Sequence, residues 1–293
     1  MKFDLTDDQR DLAAALEGLL AASDTVAVAR AWADDDTAPG LALWKRLSDL
    51  GVTMLATEAG AVEVCVAFEA LGRHAVPGPW VESAAYLPVA LGREVEGIAT
   101  LALPPHVPYA LDADVADEVY VGSTPGASVG ARHTSVDRTR RLFSVEGTEA
   151  STDEVHGEAF ELAVLATAAQ LLGAGERVLA DSVDYVKARK QFGRQIGSYQ
   201  AIKHALADVK IALDFARPLV YGAALGEVPA GAAKIAAGDA AYLASRTGLQ
   251  VHGAIGYTAE FDLSLWITKI RALLSAWGTP AHHRSRLLEE LSR

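Results

Sequence analysis

The chain has 293 residues, of which 51% are hydrophobic and 22% charged; that is too apolar for a disordered chain and long enough for two or three packed units. Acidic residues outnumber basic ones 38 to 26, and the formal charge of −12 repels nucleic acid and anionic lipid, so neither is an expected partner. No run of about 18 consecutive apolar residues occurs, and Met1 to Arg10 holds three aspartates and no apolar h-region; the expectation is no membrane span, no secretory signal and a cytoplasmic location. Cys65 is the single cysteine, which excludes an internal disulfide and a cysteine-rich zinc site, and its setting in Val64-Cys65-Val66 makes it a core residue.

The first hundred residues read as short helices. Thr6 and Gln9 have capping-box spacing, followed by Leu12, Leu16, Leu19 and Leu20 at helical intervals. A second helix is expected over Leu41 to Leu50, ending at Gly51, and a third over Val62 to Leu71, ending at Gly72 as a left-handed cap. Pro77-Gly78-Pro79 breaks the chain before another helix near Glu82. From about Gly97 to Ala150 the segments Ile98–Leu103, Glu118–Gly122 and Leu142–Val145 are short and apolar or β-branched, with prolines and glycines between them, which predicts a small β unit.

Beyond Gly157 three long helical runs follow, through Leu162 to Val186, Ile202 to Ala216 and Ala230 to Val251, and then two shorter helices over Leu263 to Leu291 that part near Gly278. Several long helices in succession predict a bundle. The expected fold is therefore mainly α with a small β domain (α+β): a helical unit at 1–94, a reduced β unit at 95–153 and a long-helix bundle at 154–293.

Most familiar signatures are absent. Gly173-Ala174-Gly175 lies inside a helical run with Val178 in place of a third glycine, so it is not a dinucleotide fingerprint. His282 and His283 are adjacent and point about 100° apart on a helix, a poor metal pair that suits solvent or partner contact better. Two segments remain. Lys187, Arg189, Lys190 and Arg194 put four cations into eight residues of an acidic chain, around Gln191-Phe192-Gly193. A solvated helix end favoured by the dipole and a loop that receives a pyrophosphate both fit this pattern. In Gln250 to Thr258, Gly253 and Gly256 allow either a helix cap or close approach of a ligand to bare backbone, with Gln250 offering an amide.

Taken in order, Ala188-Arg189-Lys190-Gln191-Phe192-Gly193-Arg194-Gln195-Ile196, Tyr199-Gln200, Leu206-Ala207-Asp208-Val209 and Gln250 to Thr258 resemble the signature of the acyl-CoA dehydrogenase family. Leu43 to Val52 and Phe68 to Arg73 ahead of Pro77-Gly78-Pro79 are similar to its N-terminal part. The resemblance implies an N-terminal helical domain, a middle β domain and a C-terminal four-helix bundle. It also implies FAD shared across a subunit interface, an acyl-CoA substrate and an electron-transfer flavoprotein as electron acceptor. Carried over residue by residue, it puts Arg189 and Gln191 at the pyrophosphate, Tyr199 and Gln200 beside it, Gln250, Gly253 and Ala254 along the adenosine side, and Phe192 and Thr279 at the cofactor. No metal ligand is implied.

Two departures stand out. Where the family places its general base, the glutamate of a Tyr-Glu-Gly-Thr segment, this chain reads Ala276-Trp277-Gly278-Thr279, and an indole has no basic lone pair. The other family location aligns near Ala163, with Glu161 two residues away and about 200° round the helix, so no catalytic residue is assigned, with Glu161 the weak alternative and Glu260 a further carboxylate to test. The β unit is also shorter than in the family, and the loop that receives the flavin ring has no counterpart. This pattern resembles the base-lacking subunit of the heterotetrameric (α2β2) enzymes of bacterial steroid side-chain degradation. A self-sufficient homomeric enzyme with a relocated base, and a flavin-free scaffold or acyl-CoA binder, are the alternatives.

Overall fold

The computed structural model describes residues 4–147 and 153–292. Thr6 and Gln9 form the expected capping box, with Gln9 N donating to Thr6 Oγ1 at 3.2 Å and Thr6 N to Gln9 Oε1 at 2.9 Å, and they open α1 (Asp7–Ala21). Then come α2 (Thr25–Ala33), α3 (Ala38–Asp49), a 3-10 turn, α4 (Leu55–Glu58) and α5 (Ala61–Arg73). Gly51 takes the left-handed conformation after α3, as expected, with φ 92°. Gly72 does not: α5 runs through it to Arg73, and its bare Cα lies against the Gln170 backbone, where a Cβ would meet the carbonyl oxygen at 2.1 Å. The glycine is required by a helix crossing, not by a cap. The chain then forms a π-helical turn at Glu82–Tyr86 that leads into α6 (Leu87–Leu91).

The β unit has two small sheets. In one, β1 (Ala99–Ala102) pairs in parallel with β3 (Glu118–Val121), which pairs antiparallel with β4 (Thr124–Pro125). In the other, β6 (Leu142–Glu146) lies between β2 (Ala110–Leu111) and β5 (Ser128–His133). A satellite cluster of Ala110, Ala113, Val119 and Phe143 holds it, and Ile98, Leu101 and Tyr120 join the main core.

The bundle begins with α7 (Asp153–Ala188), 36 residues long. Its Gly157–Ala188 stretch is long and apolar enough to cross a bilayer, but Ala163, Val164, Leu171 and Leu172 have no exposure; the apolar surface faces other helices. After α7 come the hairpin β7 (Lys190–Gln191) and β8 (Arg194–Gln195), a 3-10 turn, α8 (Gln200–Ala224), α9 (Ala230–His252), a second 3-10 turn, α10 (Leu263–Leu273) and α11 (Pro280–Leu291). The Tyr185 and His252 rings stack at 4.2 Å, which sets the C-terminal ends of α7 and α9 side by side. One continuous core runs from Leu16 through Cys65, fully buried as expected, to Trp277. The N-terminal helices are thus packed directly on the bundle.

Candidate functional site

The cationic segment after α7 is a tight hairpin. Phe192 and Gly193 have φ of 50° and 79°, the pair of left-handed residues that a two-residue type I′ loop requires. Lys190 pairs with Gln195, and Gln191 with Arg194, so side chains alternate on a narrow ribbon. Phe192 stands 92% exposed at its tip. Arg189, Gln191 and Gln200 are exposed, and the Arg194 guanidinium lies over the Tyr199 ring at 3.8 Å. Lys187 reaches Asp184 at 3.9 Å, whereas Arg189 has no ion pair among the described residues. A guanidinium without an ion pair and an exposed flat ring within one short hairpin segment fit a phosphate-bearing ligand.

The second segment lies at the same end of the bundle, next to the hairpin's base. Gly253, φ 63° and ψ −139°, ends α9 with open space where a side chain would be. Exposed Gln250 and Ala254 flank it. Tyr185, His252 and Phe261 form an aromatic plug beneath, with His252 Nδ1 bonded to Gly248 O at 2.7 Å. Gly256 is not a cap; it packs on His252 and Leu249.

Thr279 sits elsewhere. It caps α11, accepting from His282 N at 3.2 Å, and the preceding Trp277 is 1% exposed, packed on Tyr86 at 5.0 Å and Phe160 at 5.9 Å. Phe160 is near the start of α7 and Arg189 just past its end, about 40 Å away at the helical rise. One cofactor could not touch Thr279 and Arg189 of the same chain.

The turn at Trp277 is tightly held. Trp277 and Gly278 have φ of 55° and 95°; His283 Nε2 lies 3.0 Å from Trp277 O, and the Lys234 amine donates to the carbonyls of Ala276 and Gly278. His283 is buried and His282, half-buried, lies against His106 at 4.1 Å. Among the described residues no three metal-ligating side chains converge. Burial pushes the Lys234 amine down to about 7 from the ~10.4 of an unfolded lysine. Between those values the unfolded chain binds the extra proton, so stability is expected to rise with pH from about 7 toward 10, by up to about 1.4 kcal/mol per unit. Urea unfolding at successive pH values reads that slope, and Lys234→Met should remove it.

Glu161 is half-exposed and bound to Arg286 at 2.6 Å, and Glu260 is exposed, while Ala163 is fully buried. The group that the sequence reading missed is Glu82, 1% exposed in the π-helical turn. Its signal was a lone carboxylate inside the apolar run from Trp80 to Tyr86.

Residues 154–292 match the family description "Acyl-CoA dehydrogenase, C-terminal domain". The chain is 31% identical over 246 residues to acyl-CoA dehydrogenase IpdE2 of Mycobacterium tuberculosis, covering 78% of this chain and 77% of that one. This chain belongs to the acyl-CoA dehydrogenase family. In fold it matches the ChsE4-ChsE5 complex from Mycobacterium tuberculosis, with a TM-score of 0.81 and 20% identity over 100% of this chain and 99% of that one. A glutaryl-CoA dehydrogenase from Mycobacterium smegmatis in complex with FADH2 gives 0.84 and 16%, over 98% and 95%. FAD is the family's cofactor.

Proposed function

We propose that this chain is a subunit of an FAD-dependent acyl-CoA dehydrogenase that supplies the ADP-binding half-site of FAD to a homologous catalytic subunit in a heterotetramer. The observation that carries the reading is Trp277: the family's base position holds a buried indole packed into the core, while Arg189, Gln191 and Gln250 remain exposed at the other end of the bundle. There the Arg189 guanidinium would neutralise pyrophosphate charge, with Gln191 and Phe192 on the ribbon, Tyr199 and Gln200 at the start of α8, and Gln250, Gly253 and Ala254 giving close backbone approach. When bound, FAD supplies the hydride-accepting chemistry of the family, which turns an acyl-CoA into the 2-enoyl-CoA. An electron-transfer flavoprotein reoxidises the complex in this reading. The three units at 1–94, 95–153 and 154–293, a cytoplasmic location and a steroid side-chain substrate belong to the same reading, the last by likeness to the split-subunit members.

The test is co-expression with a base-bearing homologue. The pair should purify yellow and reduce a dye with acyl-CoA, whereas this chain alone should not turn over. Arg189→Ala should weaken FAD retention about tenfold or more, the value of a lost charge-assisted hydrogen bond, measured as FAD per complex. Full turnover by the single chain, or FAD content indifferent to Arg189→Ala, would overturn the proposal.

A further inference from the structure

Between the β unit and the bundle lies a cavity of about 260 Å³ whose apolar wall is Val107, Pro108, Leu142, Ala272, Ala276 and Trp277. Two polar side chains that line it, Glu82 and Arg140, have bonding capacity left over even with the attraction between them and the contact of Glu82 with Trp277. Glu82 is 1% exposed, and its Oε2 has no hydrogen-bond partner. Arg140 borders the same space; its neighbour Arg141 is tied to Asp112 at 3.0 Å and Asp114 at 2.9 Å, but among the described residues Arg140 has no ion pair. The remaining basic groups nearby are already engaged. Lys234 donates to two carbonyls, and His106 packs against His282 at 4.1 Å, with desolvation lowering its pKa.

A guanidinium without a direct ion pair and a buried carboxyl oxygen without a hydrogen-bond partner on one small apolar cavity define a ligand chemistry. A guanidinium selects a planar anion, which it binds through two parallel N–H bonds. Desolvation raises the Glu82 pKa against the pull of Arg140 and the bond with Trp277, which favours the protonated carboxyl, the form that can donate to that anion. The volume is below the roughly 300–1,000 Å³ of sites for drug-sized ligands, too small for a nucleotide. We infer that this cavity binds a compact apolar monocarboxylate, its carboxylate held by Arg140 and hydrogen-bonded to the Glu82 carboxyl, its ring or hydrocarbon body against Trp277.

Benzoate titrated into the full-length chain by calorimetry tests this. One saturable site is expected. Arg140→Met, at a half-exposed position, should weaken it at least about tenfold, and neutral benzamide should bind weaker than benzoate by a similar factor. Glu82→Gln keeps a hydrogen-bond donor and should stay within about threefold of the native chain. Absence of saturable heat, or equal affinity in native chain and Arg140→Met, would overturn the inference. The cavity is at the opposite end of α7 from Arg189, so either outcome leaves the cofactor proposal to its own test.

Discussion

Gly173→Ala is expected to cost about 3 kcal/mol of folding stability, the upper range for overpacking a close-packed core. A Cβ at Gly173 would lie 2.0 Å from Glu69 O and 2.9 Å from Arg73 N, and one at Gly72 would lie 2.1 Å from Gln170 O. The two glycines are the reciprocal faces of the α5–α7 crossing. Every obstructing atom is backbone, so none can swing aside, and relief requires moving the helices apart and loosening the core between them. Alanine's better helix propensity, about 1 kcal/mol over glycine, acts in the opposite direction and is too small to decide the sign. Gly18 on α1 is the matched control: nothing lies within 4 Å of its added Cβ, so Gly18→Ala should stabilise by a few tenths to about 1 kcal/mol. Urea unfolding of the three proteins measures the contrast. A Gly173→Ala protein as stable as the native chain would show that the crossing is not closed by backbone contact.

The same glycines show which features the sequence made legible. The Thr6–Gln9 capping box could be read because its two hydrogen bonds join residues three apart. Gly72 was misread because what fixes it, the Gln170 carbonyl, is remote in sequence. The long helices α7 to α9 were legible as runs of buried positions, but β5 was missed: Ser128 to His133 are all exposed and show no alternation to mark a strand. At the site, Arg189, Gln191 and Gln250 stood out as polar residues without a structural duty, and the structure leaves them exposed. Trp277 was legible as an indole in a motif position. The Glu82 cavity was not, because it exists only where residues 82, 107, 140 and 277 meet in space.

Glu69→Ala is expected to destabilise the chain by about 3 kcal/mol. Glu69 accepts from Arg217 through both oxygens at 2.9 and 3.0 Å, from Arg73 at 2.9 Å and from the Tyr221 hydroxyl at 3.0 Å. Glu176 accepts from the same two arginines. Two carboxylates thus balance two guanidiniums at the junction of α5, α7 and α8, and Trp266 Nε1 adds a bond to Arg73 O at 3.0 Å. Removing Glu69, whose side chain is 10% exposed, strands one cation and a buried phenol. Breaking such a buried pair costs roughly 3–5 kcal/mol, and the lower end applies because the arginine side chains are 34% and 38% exposed and water screens them in part. Glu69→Gln keeps the shape and one acceptor and should lose less. The exposed Lys210–Asp214 pair on α8, with side chains 61% and 55% exposed, gives the reference: Lys210→Ala should change stability by less than about 0.5 kcal/mol. The network spans the contact between the N-terminal helices and the bundle, so its loss should also lower the cooperativity of unfolding, read as a smaller denaturant slope. A Glu69→Ala cost no greater than that of Lys210→Ala would mean that the charges do not hold this junction.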